Sequence, residues 1–127
     1  AFDRALFGGL FITRLTLLPG EEVLGLNVAD FVEPRSQRLA RGAIDRAIEG
    51  TLRGQSVHVL APEDFVLYKL LSTRERDLED AATILRSLGP SISVTAIEHE
   101  VELLSVEIAD FDATSRLRRV LAMFGKL

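Results

Sequence analysis

Apolar positions along this chain recur first with the period of strands and later with that of helices. Residues 8 to 18 (GGLFITRLTLL) are rich in β-branched and aromatic residues and predict a strand. Pro19-Gly20 predicts a turn, with proline pre-set for the first central position and glycine free to take positive φ. Residues 22 to 29 (EVLGLNVA) predict a second strand antiparallel to the first, in which Gly25 marks a bulge or a close backbone approach. From Pro34 the period becomes helical, with Leu39, Ala40, Ala43, Ile44, Ala47 and Ile48 on an apolar face and Gly50 as C-cap. Gln55 to Leu60 alternates as a short strand.

Helical signals dominate the rest of the chain. Pro62 fits the first position of a helix whose opening acids, Glu63 and Asp64, oppose its dipole. Ser72-x-x-Glu75 has the form of a capping box, so the segment is either one long helix or two joined at Ser72. Leu88-Gly89-Pro90 closes it. Ser93 or Thr95 caps a further helix through Ala109, and Asp112 caps a last one through Phe124. The pattern is that of an α+β fold, a small mixed or antiparallel sheet followed by a helical C-terminal half. It reads as a single domain over residues 1–127, strand-rich with one helix over 8–60 and helical over 61–127.

Bulk properties narrow the function classes. The chain has 127 residues, 47% of them hydrophobic and 27% charged, which suits one globular domain rather than a disordered chain. A net charge of −4 does not support a broad nucleic-acid footprint, although arginines cluster at Arg35/Arg38/Arg41, Arg74/Arg76 and Arg116/Arg118/Arg119. No cysteine is present, which excludes disulfides and thiolate chemistry. No apolar run is long enough to span a membrane, and the opening AFDRALFGGLF lacks the order of a signal peptide. A cytoplasmic protein is the expectation.

The stretch DFVLYKLLSTRERDLED, Asp64 to Asp80, concentrates the candidate chemistry. Lys69 interrupts an apolar run, and Lys69 and Lys126 are the only lysines among fifteen basic residues. A buried cation is costly unless paired. Asp77 and Asp80 are three apart on one helix and so neighbours on its surface. Measured from the apolar face of Leu78, Ala81, Leu85 and Leu88, Asp77 falls about 60° and Asp80 about 120° away. Asp77 therefore borders the core and Asp80 lies toward solvent. Spacing alone leaves two readings open: an ion pair between Lys69 and either aspartate, or a lysine aimed at a bound anion.

Leu60-Ala-Pro-Glu-Asp-Phe-Val-Leu-Tyr-Lys-Leu-Leu, followed by Arg74-Glu-Arg-Asp-Leu-Glu-Asp-Ala, resembles the C-terminal signature of nucleotidyltransferase-like proteins of the AbiEii/AbiGii toxin type. The resemblance covers roughly residues 8 to 88 and is strongest over 60 to 81. It implies a nucleotidyltransferase-related fold and a nucleotide partner, with Mg²⁺ and a nucleoside triphosphate as cofactors of an active member. Lys69 would then bind nucleotide phosphates as a point charge on a flexible stem. Asp77 and Asp80 would orient Lys69 or an arginine such as Arg76, and Glu63 and Asp64 would cap their helix. The Gly-Ser motif and paired strand carboxylates that hold the metals in active members have no counterpart in this sequence, and no metal ligand is assigned. At the place of the family's third carboxylate stand Leu24 or Gly25, with Glu22 and Asp30 nearby. The chain thus resembles the family's second half, degenerate or truncated.

Other candidates are weaker. His58 alternates with Val57 and Val59 and reads as a strand residue on the less buried face. Glu98, His99 and Glu102 share a helix surface that would bind a metal weakly or simply be solvated. Gly8-Gly9 alone is a poor phosphate-loop signal. SRLRRVLAMFGKL is basic and amphipathic, and is read as a terminal helix packing Leu117, Val120, Leu121 and Phe124 rather than as a membrane-surface element. A reading from another class is a non-catalytic homodimeric interaction domain, since a half-length sheet leaves an edge that a second chain would cover.

Overall fold

The computed structural model describes residues 2–22 and 25–125, with Phe2 described by its backbone alone. The chain is an α+β protein with eleven elements in order: β1 (Phe2–Phe7), β2 (Leu10–Thr16), β3 (Val28–Pro34), α1 (Gln37–Asp45), β4 (Ile48–Leu52), β5 (Gln55–Val59), α2 (Pro62–Leu71), α3 (Glu75–Leu88), a short 3₁₀ turn (Gly89–Ser91), α4 (Val94–Glu107) and α5 (Ala113–Phe124). β1, β2 and β3 form an antiparallel sheet in that order, and β4 and β5 a separate antiparallel hairpin.

The sheet corrects the sequence reading in three places. β1 is not expected from the sequence, because Asp3 and Arg4 mask its alternation. The second expected strand, residues 22 to 29, begins too early: Gly20 and Gly25 both take positive φ, and the connection runs on until Leu17 N–H reaches the Asn27 carbonyl at 2.7 Å. Val23 and Leu24 of that stretch lie outside the described residues. The strand that pairs with β2 runs Val28 to Pro34, its exposed Asp30 held by Nε and Nη2 of Arg14 at 2.8 and 3.0 Å. Pro34 ends this edge strand instead of opening a helix, a position where its missing N–H costs no ladder bond.

The true cap of α1 is Ser36, whose hydroxyl accepts from Leu39 N–H at 3.1 Å. α1 stops at Asp45, so Gly50 is no C-cap; it sits in β4 opposite Val57. Ile44, expected on the apolar face, is 75% exposed. Ala47 and Ile48 follow the helical period by coincidence. Ile48 belongs to the hairpin, which turns at Arg53-Gly54 with positive φ at both residues, the form that matches the twist of paired strands.

The helical half follows the sequence closely. Pro62 is the first residue of α2, Ser93 rather than Thr95 caps α4, and Asp112 caps α5 through Ser115 N–H at 2.9 Å. α2 and α5 pack on α3, and α4 packs on α2 and α5, burying Leu70, Leu71, Leu78, Leu85, Ile97, Leu104 and Val120. Leu88 lies at the end of α3 and stays exposed, while Ala82 takes a buried place on its face. Leu117 and Val120 are buried, with Leu121 and Phe124 against them, as expected of a packed terminal helix. Among the described residues no helix is long and apolar enough to cross a membrane.

The Gly8-Gly9 pair joins the two halves. It forms the two-residue β1–β2 turn, with Gly8 at φ +62°. Gly9 donates to the Leu71 carbonyl at 2.8 Å, and a Cβ on Gly9 would lie 2.7 Å from a Leu71 methyl. A Cβ on Gly8 would strike the Phe111 ring. Backbone meets helix here so closely that no side chain fits between.

Candidate functional site

α2 and α3 meet at Ser72, and their junction gathers the charged residues. α2 ends there because Ser72 turns to an extended backbone, φ −77° and ψ 152°. The expected capping box does not form: α3 has Arg74 as its N-cap residue with no side-chain cap. The Ser72 hydroxyl instead accepts from Arg74 N–H at 3.1 Å and donates to Asp77 Oδ2. Arg116 of α5 braces the junction from behind, its Nε 2.9 Å from the Leu70 carbonyl.

Asp77 is buried at 2% exposure and is the hub. Its Oδ1 accepts from Lys69 Nζ at 3.1 Å, and its Oδ2 from Arg74 Nε at 2.8 Å. Lys69 Nζ also reaches Asp80 Oδ2 at 3.0 Å and lies 5.3 Å from the centre of the Phe65 ring. Burial works to raise the Asp77 carboxyl, but the Ser72 hydroxyl, Arg74 and Lys69 together outweigh it and hold the group below its ordinary range. Of the Lys69 side chain 25% is exposed, against 3% for Asp77 and 46% for Asp80. The lysine is therefore anchored on the core side and loosely held on the solvent side.

This cluster forms one wall of a cleft of about 450 Å³ between α2 and the inner face of the sheet. Leu10, Ile12 and Val32 line its sheet side, Leu60, Phe65 and Tyr68 its helical side, and Lys69, Ser72, Arg74 and Asp77 its polar end. The Arg14–Asp30 pair borders it through Asp30. Burial raises the Tyr68 phenol, with a further rise from the nearby Asp64 carboxylate. Asp64 does more than favour the helix dipole: it is buried and receives Arg46 Nε and Nη2 at 2.9 and 2.8 Å, tying the end of α1 to the start of α2. Glu63 likewise reaches out of its helix, to Ser93 N–H at 3.0 Å.

Of the residues singled out in the sequence, Lys69, Asp77 and Asp80 come together, and Lys69 and Asp77 line the cleft. Arg76 is exposed and does not line it; Arg74, two residues earlier, takes that place. The signal for Arg74 is present in its spacing of three from Asp77, the distance of a helix-surface pair. Nothing local marks Arg14, Leu10 or Val32, which the sheet register brings in together with Asp30.

The carboxylates of the cleft do not fit a divalent metal. Asp30 is engaged by Arg14, Asp77 by Lys69 and Arg74, and Asp80 by Lys69, and no group of three potential ligands converges among the described residues. Glu98, His99 and Glu102 form no such group either. His58 is exposed on β5 opposite Glu49.

Comparison with protein-family models, with curated proteins and with solved structures found no match to this chain.

Proposed function

We propose that this chain is a nucleotidyltransferase-like domain whose cleft binds the phosphate groups of a nucleotide through Lys69, with Arg74 beside it. One observation carries the reading: a three-quarters buried lysine and an arginine end together in an open cleft with apolar and aromatic walls. Asp77 keeps Lys69 aimed. Asp80, nearly half exposed, is the partner an incoming phosphate would displace, since the ammonium can donate to both anion and Asp77. Phe65 and Tyr68 offer rings on which a planar base can stack. Because the cleft's carboxylates do not fit a metal, no transfer step is assigned to the described residues.

Calorimetric titration of ATP and GTP into wild type and Lys69→Ala, with and without Mg²⁺, tests this. Binding weakened at least about tenfold in the variant, a loss of about 1.4 kcal/mol, is the expected result. No heat with wild type, together with a lowered melting temperature of Lys69→Ala, would make Lys69 a structural ion-pair partner only.

A second reading, a non-catalytic homodimeric interaction domain, is favoured by the sheet. β1 and β3 are both edges of a three-stranded sheet, and edges are surfaces that proteins ordinarily cover.

A further inference from the structure

We propose that the cleft takes a nucleoside monophosphate and discriminates against nucleotides with longer phosphate chains. The inference rests on the nucleotide reading and narrows it to one ligand class.

Charges around the polar end are nearly balanced. Lys69 and Arg74 share Asp77, and Lys69 also holds Asp80. Asp30 enters from the sheet side with both oxygens on Arg14, close enough to Arg74 for their charges to interact. Behind the junction Arg116 donates to the Leu70 and Arg74 carbonyls and lies in the field of Asp77. Four cations, Lys69, Arg74, Arg14 and Arg116, therefore stand around three carboxylates, Asp77, Asp80 and Asp30, an excess of one positive charge. The flanking Arg46–Asp64 and Arg119–Glu75 pairs add no net charge. A single phosphate monoester carries about −1.5 to −2 at neutral pH. Each further phosphate in a chain adds negative charge that no cation of the cleft offsets.

The donors left over give the same answer. Two of the three Lys69 ammonium protons are directed to Asp77 and Asp80, which leaves one. Among the described residues the Arg74 guanidinium uses only Nε in hydrogen bonds, which leaves both terminal nitrogens. Lys69 and Arg74 bond to the two oxygens of one carboxylate, so a single anion can reach both. One ammonium N–H and one guanidinium edge suit the three oxygens of a terminal phosphate.

Carboxylates also flank that position. Asp80 lies on the solvent side of Lys69 with 46% of its side chain exposed, and Asp30 lies on the sheet side. An Asp80 displaced from Lys69 keeps its charge beside the incoming group. A second or third phosphate would have to run past one of these carboxylates, where apolar walls weaken the screening of like charges. The volume agrees, since about 450 Å³ falls in the lower part of the roughly 300–1,000 Å³ range of small-molecule clefts.

The test is calorimetric titration of AMP, ADP, ATP and ribose 5-phosphate into the full chain at neutral pH, with EDTA present because Mg²⁺ would mask the charge of a triphosphate. Wild type and Asp80→Asn are compared, and melting curves with each ligand check folding and binding independently. AMP should bind at least about tenfold more tightly than ATP, with ADP between them. Ribose 5-phosphate, which lacks the base, should bind at least about fivefold more weakly than AMP. Asp80→Asn keeps the side-chain shape and removes the charge, so it should tighten ATP more than AMP and shrink their ratio at least about threefold. ATP bound as tightly as AMP, or more tightly, overturns the inference and leaves the nucleotide reading standing. An AMP preference that Asp80→Asn leaves unchanged overturns charge balance as its cause. Ribose 5-phosphate bound as tightly as AMP, or no heat and no rise in melting temperature with any ligand, overturns the nucleotide reading and this inference with it.

Discussion

The helical half and the strand half spend their hydrophobic residues differently. From Pro62 onward leucine, isoleucine and valine side chains go into a common core, and Leu88, Leu103 and Val106 are the large apolar residues left exposed. Before Pro62, among the described residues, the core receives only Leu10, Leu39 and Ala43, while Leu6, Phe31, Ile44, Ile48, Leu52 and Val59 face outward. Helices of this half bury one stripe each and can share a single centre. The sheet and the hairpin are instead two-sided layers, and each leaves large apolar side chains exposed, Leu6 and Phe31 on the sheet and Ile48, Leu52 and Val59 on the hairpin. The candidate cleft lies where the dense region and the open one meet. Its cations are therefore held by the rigid side, and its apolar wall is supplied partly by the open side.

Removing volume tests the contrast between the halves most directly. Leu78→Ala should cost about 3 kcal/mol of stability through the cavity it leaves, whereas Phe31→Ala should change stability by less than about 0.5 kcal/mol. Urea denaturation measures both, and equal costs would mean that the strand half is as tightly packed as the helical one. Next in size is Asp77→Asn, which removes the anion between Lys69 and Arg74. Because both cations retain some access to water, the cost should be about 2 kcal/mol, below the ~3–5 kcal/mol of a fully buried pair.

The same aspartate predicts a pH dependence. Its pKa is lower folded than unfolded, so its stabilisation is present above the unfolded value near ~3.9 and is lost as pH falls through the folded value. Melting temperature should accordingly fall more steeply below about pH 4 in wild type than in Asp77→Asn. Parallel acid limbs would mean that Asp77 contributes nothing to acid unfolding.

The seam gives an intermediate effect. Gly9→Ala forces a methyl against Leu71 and should cost about 1–3 kcal/mol, with the loss of protection appearing at the β1–β2 turn. The smallest perturbation is isotope exchange without mutation. Amides of β4 and β5 should exchange well before those of α2 and α3, because the hairpin opens without disturbing the core. Exchange of both sets in one cooperative step would merge the two regions.

Local chemistry in the sequence is enough for the helical half. Proline at the first helical position and serine and aspartate caps place α2, α4 and α5, and an apolar stripe every three to four residues, without a side-chain cap, places α3. The same locality places Lys69, Asp77 and Asp80 together, since two turns of one helix and the end of another are fixed by short spacings. Strand pairing is not local. Residues 22 to 29 carry strand-forming side chains, but two glycines in left-handed conformations shift the pairing to Val28–Pro34. Ile44 and Ile48 satisfy a helical period that α1 abandons at Asp45.

The α+β class, the helical core and the lysine with its two aspartates are thus legible in the chain, because each depends on side chains a turn or two apart. Three features needed the packed molecule: Arg74 rather than Arg76 joins the cluster, Ser72 bonds to Asp77 instead of capping a helix, and a sheet face closes the cleft. Those contacts depend on how the chain turns at Ser72 and on strand register set across the Gly8-Gly9 seam, and neither is encoded within one element.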